Sequence, residues 1–548
     1  MKIWLVVVWL AIGTGLRLTE LAAKPPWTDE FSTIVFSLGN SFRTVPLDRA
    51  IAVDVLLQPL VPNSEAGVID VIRHLLEESN HPPLYFVLAH WWMQLFPPDG
   101  GLASVWAARA LSVLFGALSI PAIYGLSWLA FRSQLVSQLT SAMMAVSPYG
   151  IFIAQEARQY TLAILWVIAS LSCLAIATQH AQHQKPLPTW LVVSWIIINF
   201  LGVSTHYFFV LTLITEALWL LILFTCDLRL ATCNLLQISI VAIGTTAGCL
   251  VWLPIFWQES SGGKLTEWIH YTSPGFLAWI SPVFQALAGW IAMLSLLPIE
   301  SPSLLVVIAS GFVMLVFFIW AIPILRRGFS TQLQQPTTRL MTRLFTTVVL
   351  GAIALFFLFA YVLGIDLTRG PRYNFVYFPA VVVLLGASLA ICWHSPQKKF
   401  PSGRTAVTLI WLMGLVSGLT IVNNLGYGKY YRPDVLIPLI QQVSHSPVLI
   451  ATSYKTHVQT GEMMGIAKQL KSSNSPLKPL FFLAQPTQNP RATTVTLEAA
   501  LTQLPQPLDL WLVNFLPAVE LNGCVADSRP FPFINGYSYK LYHCRYPK

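Results

Sequence analysis

Apolar stretches of about 20 residues recur along this 548-residue chain, and they leave few folds open. Such a stretch matches the roughly 30 Å hydrocarbon core of a bilayer. Backbone polar groups inside lipid must be satisfied within the segment, so each crossing has to be a helix. Eleven spans can be read: 3–22, 105–131, 136–154, 160–178, 190–207, 208–225, 235–255, 303–325, 344–363, 375–393 and 405–423. Hydrophobic residues make up 55% of the chain and charged residues 10%, which fits a polytopic α-helical membrane protein. Two apolar pieces fit less well. Leu84 to Phe96 gives only about 20 Å of helix at 1.5 Å per residue, too short to cross. Gly275 to Leu297 is bracketed by Pro282 and Pro298, and counting it as a crossing spoils the charge pattern. Both are expected as half-buried or surface-lying helices.

Charge orients this layout. With the N-terminus inside, the inner loops receive Arg132, Lys185, Arg229, Arg326, Arg327, Arg339, Arg343, Lys398, Lys399 and Arg404, against the single acid Asp227. That is the positive-inside pattern. The formal net charge of +9 is therefore explained by orientation and implies no nucleic-acid partner. The N-terminal apolar run is expected as an uncleaved first helix, because cleavage after Ala22-Ala23 would leave Asp29-Glu30 almost at a new terminus. The outer face then collects four segments, 23–104, 155–159, 256–302 and 364–374. Within the first, Phe31–Leu57 and Gly67–Glu78 have the mixed pattern of amphipathic surface helices.

Residues 1–423 thus form a transmembrane domain with a long first outer loop. Composition changes at about Asn424, and 424–548 reads as a small extracytoplasmic α/β domain. Its strands are Val448–Ala451, Leu480–Ala484 and Leu508–Val513, and its helices His457–Leu470 and Leu497–Leu504. Cys173, Cys226, Cys233, Cys249 and Cys392 lie in or beside apolar spans and read as small core residues. Cys524 and Cys544 share the polar C-terminal region, where an oxidising compartment allows a disulfide.

The chain has only 23 Asp and Glu, so adjacent carboxylates in Trp27-Thr28-Asp29-Glu30 stand out. One reading is a helix cap, since negative charge at a helix N-terminus is favourable. The other is a general base or cation ligand at the membrane surface. His81-Pro82-Pro83 holds a histidine where the chain returns to the membrane, a position that equally suits a simple helix start. Gln155-Glu156-Ala157-Arg158-Gln159-Tyr160 puts a carboxylate and a guanidinium at a span end, either as an anchoring ion pair or as functional groups. His206, in Thr205-His206-Tyr207, lies at the same face and more often would be a satisfied interfacial residue. Arg369, Arg372 and Tyr373 break the positive-inside pattern. Phosphate binding explains them, as does headgroup anchoring.

These motifs together resemble the GT-C superfamily of polytopic glycosyltransferases. The resemblance is to the branch of dolichyl- or polyprenyl-phosphate-sugar transferases with the protein O-mannosyltransferases and lipid A aminoarabinose transferases. It is carried by Asp29-Glu30, His81-Pro82-Pro83-Leu84-Tyr85, Arg109-Ala110-Leu111, Ser147-Pro148 through Tyr160, and Arg369 to Tyr373, and it covers residues 1 to about 425. It implies a polyprenyl-phosphate-linked sugar donor, an extracytoplasmic protein, lipid or glycan acceptor, and inverting displacement. Asp29 maps to the base with Glu30 beside it, and Glu156 to a second acidic site. Arg158 and Arg372 map to donor-phosphate contacts, while His81, Tyr160, His206, Arg369 and Tyr373 complete the expected binding set. Aminoarabinose transferases carry Lys where this chain has His81. No Asp-x-Asp ligand set is present, so a divalent cation at the acids is left open. The rival class is a transporter or flippase of lipid-linked intermediates, but transporters place charges near the midplane and these lie at span ends.

Overall fold

The computed structural model describes residues 4–226, 228–255, 265, 267–270, 275–394, 402–428, 430–473, 475–485, 490–516 and 521–546. Asp227, Lys398 and Lys399 of the charge pattern lie outside them, as do the side chains of Cys226, Arg229 and Cys233. The chain is a mostly helical, multi-pass membrane protein. It divides into two compact units, Met1–Leu21 with Asn80–Tyr85 and Arg109–Gly428, and Ala22–Ser79 with Phe86–Ala108 and Lys429–Lys548.

In the first unit, Val105–Phe131, Tyr160–Gln182, Phe276–Leu294, Leu304–Gln334, Pro336–Val362 and Gly403–Val422 are long and apolar enough to cross a bilayer. Shorter apolar helices at Leu5–Leu18, Thr189–Thr205, Phe209–Cys226, Leu228–Leu250 and Phe378–His394 match the other expected spans. Phe276–Leu294 meets the length of a crossing, because Pro282 sits within its first two turns without ending it.

The expected span 136–154 is broken. Gln134–Val146 ends at Ser147, whose ψ of 119° leaves the helical region, and Pro148–Ala154 begins a new short helix. Proline lacks the N–H that would bond the Met144 carbonyl. Arg17 supplies the missing donors. Its Nη2 donates to Met144 O at 3.1 Å, and its Nη1 to Ala145 O at 3.1 Å and Gly13 O at 2.9 Å. The guanidinium is fully buried, and Gly116 makes room for it: a Cβ there would lie 3.2 Å from Arg17 Nε and 2.9 Å from Ala154 Cβ. The new helix is capped by Ser147 Oγ, which accepts from Gly150 N at 3.3 Å and donates to Met293 O at 2.8 Å.

The second unit is built on one sheet of order β2-β1-β3-β5-β4, with β1 Val448–Ser453, β2 Leu480–Ala484, β3 Leu508–Val513, β4 Cys524–Ala526 and β5 Tyr539–Cys544. The three expected strands are β1, β2 and β3, all parallel. β5 adds antiparallel to β3, and β4 to β5. Cys524 and Cys544 form a disulfide across that last pair. The expected loop helices are Thr28–Ser37, Val53–Leu57 and Val68–Glu78. They pack on the C-terminal fold: His457 stacks on Phe42 at 5.1 Å between ring centroids, and Ile51 pairs with Phe481 of β2.

Two predictions follow from this packing. At Gly386 an added Cβ would lie 2.8 Å from Thr140 backbone atoms, whereas Gly311 faces open space. Gly386→Val is expected to destabilise by about 1–3 kcal/mol through overpacking, and Gly311→Val to leave the thermal midpoint of the purified protein unchanged. In the sheet, His543 Nδ1 lies 2.7 Å from Asp509 Oδ1 and its Nε2 3.2 Å from Asp527 Oδ2. The Asp509 hydrogen bond, then that of Asp527, raises the imidazole above its ordinary value. Its contribution is full below the unfolded value of about 6.5 and is lost as pH rises through the higher folded value. The midpoint should fall between pH 6 and 8.5 in wild type more than in His543→Gln, by a small amount because the ring is half exposed.

Candidate functional site

The short helix Pro148–Ala154 positions the candidate residues of the first unit. Its C-terminal neighbour Gln155 is tied to the end of the first helix, Nε2 donating to Thr19 O at 2.8 Å and Arg17 O at 3.3 Å. The turn that follows, Glu156-Ala157-Arg158, is tightened by Arg158 N donating to Glu156 O at 2.7 Å, and all three residues are buried. Ser112 then clamps Arg158 from the helix Val105–Phe131. Its hydroxyl donates to Arg158 O at 2.9 Å and accepts from Arg158 N at 3.2 Å. With the Ser112 proton committed, Tyr85 Oη is the donor in its 2.8 Å contact with Ser112 Oγ. This joins the His81-Pro82-Pro83-Leu84-Tyr85 and Glu156–Arg158 motifs. His81 Nε2 accepts from Arg158 Nη2 at 2.7 Å, so the imidazole nitrogen facing Arg158 carries no proton.

Beyond Arg158 lies an aromatic wall. The Arg158 guanidinium carbon is 5.9 Å from the Tyr160 ring centre, and the His206 ring is 5.4 Å from Tyr160, 5.9 Å from Tyr373 and 5.0 Å from Phe375. Arg372 lies over Trp268 at 5.0 Å and over Tyr373 at 5.5 Å, both cation–π distances. Tyr149 Oη donates to Arg372 O at 3.0 Å, tying this loop back to the short helix. Both Arg158 and Arg372 act electrostatically on His206. The structure therefore brings His81, Arg158, Tyr160, His206, Arg372 and Tyr373 together.

Arg369 is used differently. Its Nη1 donates to Trp268 O at 2.8 Å and His270 O at 3.2 Å, and its Nε is 3.5 Å from Asp366 Oδ2. It holds the Trp268 strip on which Arg372 rests. Trp268, Ser112 and Arg17 went unmarked in the sequence. Arg17 is a charge inside an apolar span, a signal that was there to find. So was Glu216, which accepts from Ser170 Oγ at 3.0 Å deep between helices.

Asp29 and Glu30 belong to the second unit. Glu30 is buried, and its Oε2 accepts from Trp27 N at 3.4 Å, closing a capping box on Thr28–Ser37. Asp29, at the preceding position of the same first turn, is half exposed. Among the described residues no three His, Cys, Asp or Glu side chains converge as a metal site. Glu30 is committed to the backbone of its own helix start.

No family model matches the chain and no curated protein matches its sequence. Among solved structures the chain is similar to ArnT from Cupriavidus metallidurans in the apo state, with 12% identity over 92% of both chains and a TM-score of 0.49. It is similar to the same protein bound to undecaprenyl phosphate, with 12% identity over 94% of both chains and a TM-score of 0.48. A third is the oligosaccharyltransferase AglB from Archaeoglobus fulgidus in complex with an inhibitory peptide and a dolichol-phosphate. That match has 10% identity over 93% of this chain and 69% of the other, at a TM-score of 0.47. Similarities this distant carry no residue role across.

The Ser112 clamp yields a direct test. Ser112→Ala removes three hydrogen bonds, to Arg158 O, Arg158 N and Tyr85 Oη, each worth about 0.5–1.5 kcal/mol net. The thermal midpoint followed by tryptophan fluorescence should drop clearly, whereas Ser170→Ala, outside this cluster, should leave the Arg158 surroundings intact.

Proposed function

We propose that this protein is a membrane glycosyltransferase that moves a sugar from a polyprenyl-phosphate carrier to an extracytoplasmic acceptor. The observation that carries the reading is the pair Arg158 and Arg372, set against Tyr160 and Tyr373, the two rings that flank His206 in one aromatic-walled cluster of the first unit. Guanidinium forks match the planar, bidentate geometry of phosphate oxygens, and an apolar surround strengthens the attraction. The motif pattern around Asp29, His81, Glu156 and Arg372 supports the same reading.

Asp29 is assigned as the base. Its carboxylate takes the proton from the acceptor hydroxyl or amine as that atom bonds the anomeric carbon. The bond from that carbon to the phosphate oxygen breaks on the opposite face, and the electron pair leaves with the polyprenyl phosphate. One displacement inverts the anomeric configuration. Arg158 and Arg372 stabilise the negative charge on the departing phosphate. His81 positions Arg158 through the lone pair of Nε2, and Trp268 and Tyr373 hold Arg372 by stacking. Glu30 acts as a helix cap, and Glu156 is assigned to acceptor binding. Basic loops on one side and the Cys524–Cys544 disulfide support a cytoplasmic N-terminus and an extracytoplasmic C-terminal domain.

The test is a transfer assay with purified protein and a panel of polyprenyl-phosphate hexoses and pentoses. Asp29→Asn is expected to lower kcat by about 10²–10⁴-fold, the range of a lost general base. Arg372→Ala is expected to lower kcat/KM for donor about 10- to 100-fold, from about 1.5–3 kcal/mol per charge-assisted hydrogen bond. Arg372→Lys should recover little, because an ammonium neither forks nor stacks in the same way. Equal turnover by Asp29→Asn and wild type would remove Asp29 as base. Movement of the lipid-linked sugar without transfer would replace the enzyme by a transporter.

A further inference from the structure

A second concave site lies wholly within the second unit, apart from the residues used above. It is a cavity of about 420 Å³ between the end of Thr28–Ser37, the loop at Pro62–Ser64 and the turn that joins Leu84–Met93 to Val105–Phe131. That volume falls in the range of about 300–1,000 Å³ typical of small-molecule sites. None of the side chains lining it is Lys, Arg, Asp or Glu. Its one titratable group, His90, is buried with both ring nitrogens engaged. Nδ1–H donates to Ser37 O at 2.8 Å, and Nε2 accepts from Gln94 Nε2 at 2.9 Å. These two contacts fix the orientation of the ring. The lining therefore offers an occupant no carboxylate, ammonium or guanidinium.

What it does present is a ring of neutral hydrogen-bonding groups beside an aromatic face. Asn63 uses its Oδ1 to accept from Glu65 N at 3.1 Å, and its amide N–H groups remain for a ligand. The Ser64 hydroxyl and the Gln94 amide also line the opening. Phe96 forms one wall, braced from behind by Trp92 at 5.3 Å and Trp106 at 6.0 Å between ring centroids. Amides and hydroxyls that pair with hydroxyls, set against a rigid aromatic face that packs the C–H side of a pyranose, are the chemistry of a neutral sugar. A phosphate or carboxylate would find no Lys or Arg here.

We infer that this cavity binds a neutral hexose-type sugar residue, held by Asn63, Ser64 and Gln94 and packed on Phe96. The inference is independent of the lipid-phosphate reading, because binding needs no donor and none of these residues belongs to the arginine cluster.

The experiment uses the full chain in phospholipid nanodiscs, avoiding maltoside detergents, and follows saturation-transfer NMR. The probes are methyl α-mannoside, methyl α-glucoside and N-acetylglucosamine, with glucuronate as the anionic counterpart. At least one neutral sugar is expected to bind, and glucuronate to bind at least tenfold more weakly. Asn63→Ala combined with Gln94→Ala, both exposed rim positions that leave the fold intact, should weaken binding at least fivefold. Phe96→Ala should do the same, whereas Arg372→Ala should leave it unchanged. The inference is overturned if no neutral sugar binds, if glucuronate binds as well, if the rim variants bind like wild type, or if Arg372→Ala abolishes the signal.

Discussion

The first unit is organised around a guanidinium that donates to main-chain carbonyls. Pro148 interrupts an apolar run and withdraws the donor from Met144, in surroundings where an unpaired carbonyl costs about 1–3 kcal/mol. Arg17, fully buried in the last turn of the first helix, repairs the break with hydrogen bonds to Met144 and Ala145. Part of what positions Arg158 runs from that repair. The short helix Pro148–Ala154 can start anew, Gln155 is drawn to the end of the first helix, and Tyr149 reaches the Arg372 loop. A lysine at position 17 could not hold the same carbonyls with a planar fork.

The site uses the same economy of main-chain anchoring. Ser112 grips both backbone groups of Arg158, and Arg369 grips two carbonyls of the Trp268 strip, so main-chain contacts hold the segments around Arg158 and Arg372. Aromatic rings fill the remaining space. This combination supports the proposed recognition of an anionic group.

Much of this was legible in the sequence. Hydropathy located the spans, because lipid demands length and apolarity whatever the neighbours are. Short apolar runs located β1, β2 and β3, which are nearly all buried. β4 and β5 escaped, being short or alternating around exposed residues such as Val525. The break at Ser147 was passed over because hydropathy is blind to a missing N–H. Asp29, Glu30, His81, Glu156, Arg158 and Arg372 could be picked out as polar groups at span ends in a chain poor in charge. Their partners could not: Trp268 and Ser112 are ordinary residues whose importance arises only from where the fold brings them.

By itself the sequence determined the membrane class, the positions of most helices and the residue types available for chemistry, since these depend on local composition and on the bilayer as solvent. It also carried the cap at Glu30, because a capping box closes within four residues. Tertiary structure alone decided which polar groups meet. It joined His81 to Arg158 across 77 positions, brought Arg372 beside the same aromatic wall, and packed residues 22–79 with the C-terminal sheet in one compact unit. Those pairings depend on long-range packing and on satisfying buried backbone groups, neither of which leaves a periodic trace along the chain.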